Sequence, residues 1–451
     1  MKKFNLVVFG SLFVAFAIWG TINYLPQLVD LIKGIEPIIT PPAQDISRPG
    51  VNDTDLPLEV PDDFAISIFA TGVPGARVLA FDPTGRLLVS QTSAGKVVAL
   101  ADENVDFKAE KNITVIQGLR QPHGIAMDCE GNAAVQKCYL YVAETHQVSR
   151  FEYDQATAQA SSPQKLVELP SGGGHFTRTI AFGPEGRLYV SIGSSCNVCN
   201  ETDERRAKIF SMNKDGSDFR EHARGLRNSV FFTWSYVDGR MWATEMGRDN
   251  LGDDVPPDEI NIIEEGGNYG WPTCYGKNIH DINFDKNTYI RNPCMDPFEK
   301  GSAVDLQAHS APLGLGFVPE EGWPENYWYD LIVAYHGSWN RSVPTGYKLV
   351  RVKLDAEGHY EGIEDFITGW ETGGGALGRP VDILLQPGGI MYVSDDKAGV
   401  IYRVTYNQRI EITTFEDCVA AGYPVMESHP RQCRLPSGIT LTEEIDKERA
   451  P

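Results

Sequence analysis

The sequence predicts an all-β fold, a six-bladed β-propeller over residues 62–406, on two observations. The first is a recurring phrase: Phe81-Asp-Pro-Thr-Gly-Arg-Leu-Leu-Val-Ser90, Phe182-Gly-Pro-Glu-Gly-Arg-Leu-Tyr-Val-Ser191 and Leu385-Gln-Pro-Gly-Gly-Ile-Met-Tyr-Val-Ser394. In each, an apolar run stops at a Pro/Gly turn and an alternating run returns, which is a β-hairpin signature. Weaker versions at residues 125–144, 231–245 and 315–336 bring the units to six. Their spacing of roughly 45 to 80 residues reads as successive blades. The second observation is that helical 3.6-residue periodicity is scarce over the same stretch, which disfavours βαβ folds.

Taken in order, Met1, Lys2 and Lys3 precede an apolar run over residues 6–19 that continues to Leu25. This is a positive n-region and a long h-region without a convincing cleavage site. Residues 1–25 are therefore expected to be an uncleaved signal anchor, a transmembrane helix with the propeller on the periplasmic or extracellular side. Cleavage as a signal peptide would give a secreted protein instead. Residues 26–61, with Pro41, Pro42, Pro49 and Pro57, read as a linker. Within the propeller, residues 97–100 and 400–404 supply further strands after two of the hairpins. Residues 407–451 read as a small module stapled by Cys418 and Cys433, followed by a charged tail, since so short a segment lacks a sufficient core of its own.

A formal net charge of -21 and a pI near 4.9 argue against nucleic acid as a partner, because phosphate binding needs clustered cations. Eight cysteines at close spacings suit disulfides in an oxidising compartment. The near neighbours pair as Cys129–Cys138, Cys196–Cys199, Cys274–Cys294 and Cys418–Cys433. Cys196-Asn-Val-Cys199 also has the spacing of half a zinc knuckle, although no second half-site accompanies it.

Chemistry concentrates in a few places. In residues 225–272, Arg227 and Asn228 can clamp carboxylates. The Gly247 turn with Asp249, Asp253, Asp254, Asp258 and Glu259 offers the hard oxygens that calcium prefers. A solvated acidic loop is the other reading of those acids. His175 follows Gly172-Gly-Gly174 before a hairpin and is a natural base near neutral pH, or else a loop histidine without a task. Residues 309–348 gather His309, Tyr335, His336, Trp339 and Arg341 around small residues. They either grip a flat anionic ring, with Arg341 on a carboxylate, or form a hydrogen-bonded loop. Arg379 opens the last hairpin at the point where Arg77 opens the first, so both point toward one channel as a positive throat.

The combination of Gly-His175, Ala181-Phe-Gly-Pro-Glu-Gly-Arg-Leu-Tyr-Val-Ser-Ile-Gly193, Leu226-Arg-Asn228, Asp258-Glu-Ile-Asn261, Gly266-Gly-Asn-Tyr-Gly-Trp-Pro272 and His336-Gly-Ser-Trp-Asn-Arg341 resembles the quinoprotein glucose and L-sorbosone dehydrogenases. These are six-bladed propellers that use pyrroloquinoline quinone (PQQ) and calcium. The resemblance covers about residues 61–406 and is greater to the sorbosone dehydrogenase-like branch, on the Ser-Ser-Cys-Asn-Val-Cys199 and His336-Gly-Ser-Trp-Asn-Arg341 phrases. It implies that His175 is the general base and that Arg227, Asn228 and Arg379 hold the cofactor, with Arg77 and His336 beside it. It further implies that the carbonyls of Gly247 and Arg248 bind the cofactor's calcium, and that Asp258, Glu259 and Tyr269 form a structural calcium site. Two departures put glucose itself in doubt: Ser194 stands where the glucose enzymes orient the base with an Asp, and His336 falls near their cofactor lysine.

The expected activity is oxidation of a sugar, aldose or related hydroxy-aldehyde by hydride transfer to the quinone. Electrons leave to a separate acceptor, since Cys199 is followed by Asn200 rather than a haem-type His. The rival readings are a non-catalytic glycan- or protein-binding propeller and a calcium-dependent lactonase-type hydrolase.

Overall fold

The computed structural model describes residues 49–443 apart from 133–134, 298, 407–413, 421–422, 427 and 435–438. The expected signal anchor at 1–25 and the tail beyond 443 lie outside these residues. Among the described residues no helix is long and apolar enough to cross a membrane. Residues 49–406 belong to one compact unit and residues 414–443 to a second.

Each of the six hairpins expected from sequence is the first strand pair of its own antiparallel sheet. Their opening strands are Ala76–Phe81, Ile125–Asn132, Ile180–Phe182, Phe232–Trp234, Pro312–Phe317 and Pro380–Gln386. The sheets are numbered one to six in that order. Sheet six is completed by Phe64–Ala70 pairing with Val400–Tyr406, so the two ends of this unit meet in one sheet. Within the stretch expected as linker, Val51–Asp53 adds in parallel to Phe64–Ala70, and Glu59 bridges to Thr368.

Successive sheets touch through their opening strands, except that sheets three and four meet through Ser191 of the second strand and Val230 just before Phe232–Trp234, and the contacts close on themselves. The result is a β-propeller-like ring. The serine that ends the recurring phrase explains part of the joining. Ser394 Oγ takes the Asp382 N–H and donates across to the Arg77 carbonyl at 2.6 Å, from sheet six to sheet one. Ser191 Oγ donates to the Val230 carbonyl, from sheet three to sheet four. Thr244 Oγ1 does the same from sheet four to Leu313 of sheet five at 2.8 Å. All three hydroxyls are buried, where an unmatched polar group would cost about 1–3 kcal/mol. Apolar layers fill the interfaces: Leu87 and Ile401 between sheets six and one, Tyr141 and Leu188 between two and three, Tyr189 and Met241 between three and four.

Between Asp258–Ile263 and Val304–Leu306 of sheet four lies a long excursion carrying the GGNYGWP phrase. Gly267–Asn268 from it joins the outer edge of sheet three in parallel. Gly225 permits this approach, because a Cβ there would stand 2.4 Å from Asn268 Oδ1 and 2.7 Å from the Gly270 nitrogen. The four expected disulfides are all present. The Cys196–Cys199 bond leaves neither thiolate for zinc. The C-terminal unit packs helix Phe415–Ala420 on three short strands, with Phe415 and the Cys418–Cys433 bond at its centre.

Candidate functional site

A cation or histidine stands near the start of every opening strand. These are Arg77, His123, Arg178, Arg227, His309 and Arg379. Arg77 and Arg379 are not in register, contrary to the sequence expectation: the strand pairing aligns Arg77 with Val381, and Arg379 falls two residues earlier, at the place of Gly75. His123 and Arg178, both fully buried, extend the pattern to sheets two and three, where the repeated phrase alone did not point.

His175 lies on the glycine loop before sheet three. Its Nδ1 is 2.9 Å from Ser194 Oγ and 3.1 Å from the Ser194 carbonyl. The Ser194 hydroxyl spends its one proton on the Cys196 carbonyl at 2.7 Å. It can therefore only accept from the imidazole, so Nδ1 carries the proton and Nε2 keeps its lone pair. Burial, then the charge of Arg227, then Arg178 and Arg206 push His175 down to about 3, with the Ser194 contact opposing. The ring is neutral at physiological pH. Gly193 lets it sit beside Asn228, for a Cβ at Gly193 would meet His175 Cβ at 2.7 Å and Asn228 Oδ1 at 2.8 Å.

Two arginines hold the histidine loop by its carbonyls. Arg178 donates to Pro170 and His175, and Arg206 to Gly172 and, outside the loop, to Gly193. Burial lowers Arg178 to about 9.

Arg227, 5% exposed, donates through Nε to the Asn197 carbonyl at 2.8 Å and through Nη1 to Met246 O. Through Nη2 it reaches Asn197 Oδ1 and Asp249 Oδ2 at 2.9 and 3.0 Å. These bonds use four of its five N–H groups and leave one on Nη1. Asn228 donates its backbone N–H to Glu245 Oε1 at 2.7 Å and its amide to Met246 Sδ.

Asp258 and Glu259 are buried, as a structural role requires, but they are not equivalent. Asp258 spends one oxygen on each of the Gly247 and Ala311 N–H groups, both at 2.8 Å. Glu259 accepts from Gly276 N and Asn261 Nδ2. Glu259, Tyr269, Gly247 and Arg248 are among the residues that line one pocket, and Glu245 and Arg227 line it with them. Sequence reading passed Glu245 by because it ends an ordinary alternating strand, with no motif around it. Its Oε2 is buried without any partner, and burial raises the carboxyl well above its usual range. Burial also pushes Asp258 and Glu259 up to about 7. The Tyr269 hydroxyl is committed to Ile262 O and Glu264 N, so what Tyr269 can offer a metal is its carbonyl. Arg248 pairs with Asp281 at 2.6 Å.

Opposite, Asp396 joins Arg77 at 2.8 Å and His336 Nε2 at 3.0 Å, and Arg77 reaches toward His123 Nε2 at 3.5 Å. Burial lowers His336 to about 4 even though Asp396 opposes it. Arg379 gives two of its five N–H groups to the His336 and Gly337 carbonyls. Arg341 is occupied differently. It ties Asp253 O, Ala308 O, Val343 O and Asp254 together, which matches the hydrogen-bonded-loop reading of that segment rather than a ring grip. Asp249, Asp253 and Asp254 are likewise bound to Arg227, Ser342 and Arg341. Trp339 stands 72% exposed beside them.

With this geometry in place, the comparisons are specific. Residues 58–407 match the family described as TrAA12-like. An uncharacterized protein of Borreliella burgdorferi is 30% identical over 362 residues, covering 78% of this chain and 91% of that protein. A PQQ-dependent pyranose dehydrogenase of Coprinopsis cinerea is 25% identical over 421 residues, covering 79% of this chain but only 56% of the relative. Among solved structures, the holo PQQ domain of Coprinopsis cinerea pyranose dehydrogenase has a TM-score of 0.65 at 22% identity, covering 80% of this chain and 100% of that one. PQQ-bound aldose sugar dehydrogenase from Streptomyces coelicolor gives 0.56 at 20%, covering 77% and 99%. At these identities the structural likeness shows the fold.

Proposed function

This chain belongs to the TrAA12-like family of PQQ-dependent sugar dehydrogenases, and from that premise we propose that it oxidises a sugar, aldose or related hydroxy-aldehyde with PQQ as hydride acceptor. We read its ring of six sheets as a six-bladed propeller whose strand entries form the active site. The observation that carries the proposal is His175: neutral, with Nδ1 fixed by Ser194 and Nε2 unprotonated, beside a buried arginine that keeps an N–H to give.

In this reading Nε2 of His175 takes the substrate hydroxyl proton as the carbon-bound hydrogen leaves as hydride. The quinone, when bound, supplies the two-electron acceptor. Arg227 and Arg379, with unspent donors, would hold its carboxylates, and Asn228 would hold a polar edge. Arg77 and His336 are screened by Asp396 and serve that wall of the throat. Arg341 belongs to the loop clamp. Ser194 is not an acid and offers no negative charge to stabilise the imidazolium that His175 becomes. An anion seated on Arg227 removes the largest charge that disfavours the protonated ring.

The donor set also fits a hard dication. Glu245 Oε2 and Glu259, with main-chain oxygens at Gly247, Arg248 and Tyr269, are the ligand types calcium takes. Asp258 is assigned to the Gly247 turn, which it holds from beneath. Calcium is expected to raise the melting temperature of the cofactor-free protein, and more at pH 8 than at pH 5, where protons compete for the same oxygens. Glu245→Gln should remove most of that shift. An equal shift in wild type and variant would reject Glu245 as a ligand.

Four disulfides support an extracytoplasmic location, and we propose that residues 1–25 direct export. Electrons would pass to a separate acceptor. Titrating the full chain with PQQ and calcium, then adding aldoses and a reducible dye, tests the function.

A further inference from the structure

We infer that the loop closed by the Cys196–Cys199 disulfide is the positioning element of the site, fixing Arg227 through Asn197 and orienting the Ser194 hydroxyl against His175 through the Cys196 carbonyl. The inference rests on the reading of Arg227 as a cofactor ligand and His175 as the base.

The loop is short, and both of its inward groups are spent on the site. Asn197 meets the Nε–Nη2 edge of Arg227 with its carbonyl at 2.8 Å and its Oδ1 at 2.9 Å. The same Oδ1 takes the Asp249 N–H at 2.8 Å, and Nδ2 donates to the Asp249 carbonyl at 3.0 Å. One amide therefore holds the guanidinium and the acid that partners it. Its two contacts to Arg227 are neutral oxygens, which fix the plane of the guanidinium without cancelling its charge. They leave the Nη1 side as the one that meets an anion. The Cys196 carbonyl, one residue earlier, accepts the Ser194 proton at 2.7 Å, so the Ser194 hydroxyl joins the Ser194 carbonyl in accepting from His175 Nδ1. Closing the loop with a disulfide removes backbone freedom that would otherwise blur both contacts. Ser195, between them, is anchored by Glu201 through its N–H and hydroxyl.

The two halves predict opposite kinetic signatures in the full-length protein. Asn197→Ala should weaken PQQ binding, read by absorbance titration in calcium, by about tenfold, the usual scale for a lost hydrogen bond to a charged group. Asn197→Asp should weaken it further than Asn197→Ala, because the added charge competes with the anion for Arg227, without a greater fall in cofactor-free melting temperature, since its carboxylate keeps the Oδ1 contacts to Arg227 and the Asp249 N–H and loses only the Nδ2 donor. A merely structural asparagine would not give that combination. Ser194→Ala should keep PQQ affinity and lower kcat. The Cys196→Ser/Cys199→Ser variant should combine the two losses, and if it does not fold, the single variants decide. Wild-type affinity in Asn197→Ala, or an affinity loss in both Asn197 variants that tracks a fall in melting temperature, overturns the inference alone. Failure of wild type to bind PQQ overturns the proposed function along with it.

Discussion

His175→Ala is expected to bind PQQ with an affinity within about threefold of wild type while kcat falls by roughly 10²–10⁴, the usual contribution of a positioned general base. The separation follows from position. His175 donates to Ser194 and lies beside Asn228, but it is none of the cations that would hold carboxylates. The pH profile carries the same assignment. A base held at about 3 by burial and by Arg227 is already deprotonated above that value, so lowering pH from 8 to 6.5 does not remove it. An anion on Arg227 raises the value toward the unperturbed 6.5. The acid limb of kcat is therefore expected between pH 3 and pH 6.5. Turnover near wild type in His175→Ala, or an acid limb above pH 7, would rule His175 out as the base.

Arg227→Leu is expected to lose PQQ binding by roughly 2–5 kcal/mol, the range for removing one partner of a buried, hydrogen-bonded charge pair. That corresponds to about 30-fold or more in dissociation constant. Asn197 O, Met246 O and Asp249 each lose their donor at the same time. The fold itself is therefore expected to weaken. Arg227→Lys separates the effects: it restores charge but not the planar fork, so stability should recover more than affinity. Equal PQQ affinity in Arg227→Leu and wild type would remove Arg227 from the cofactor site.

Much of the ring was legible in sequence because its hairpins repeat a turn. In Asp82-Pro-Thr-Gly-Arg86, the Asp82 carboxylate takes the Thr84 and Arg86 N–H groups and Gly85 turns at φ 86°, an arrangement set by residues within one turn. The disulfides were legible for the same reason of short range, as Cys129 and Cys138 face each other across one hairpin. What stayed hidden depends on ring closure. Asp396 meets Arg77 from 319 residues away, and Phe64–Ala70 completes a sheet begun at Pro380. No local pattern marks either. The site divided along the same line. Arg227, Asn228 and His175 sit in recognisable phrases. Glu245 and Asn197 are ordinary polar residues until the fold buries a bare carboxylate oxygen in the first and places the second against a guanidinium. Arg341 shows the reverse case, an attractive cation on paper whose donors are taken up by loop oxygens.

The measurement closest to the central claim is an absorbance titration of the full chain with PQQ in the presence of calcium, followed by addition of aldoses to the loaded protein. The account predicts saturable binding at micromolar or lower PQQ and reduction of the bound quinone by at least one aldose. Absence of binding at micromolar PQQ, with the protein folded and calcium present, would contradict it.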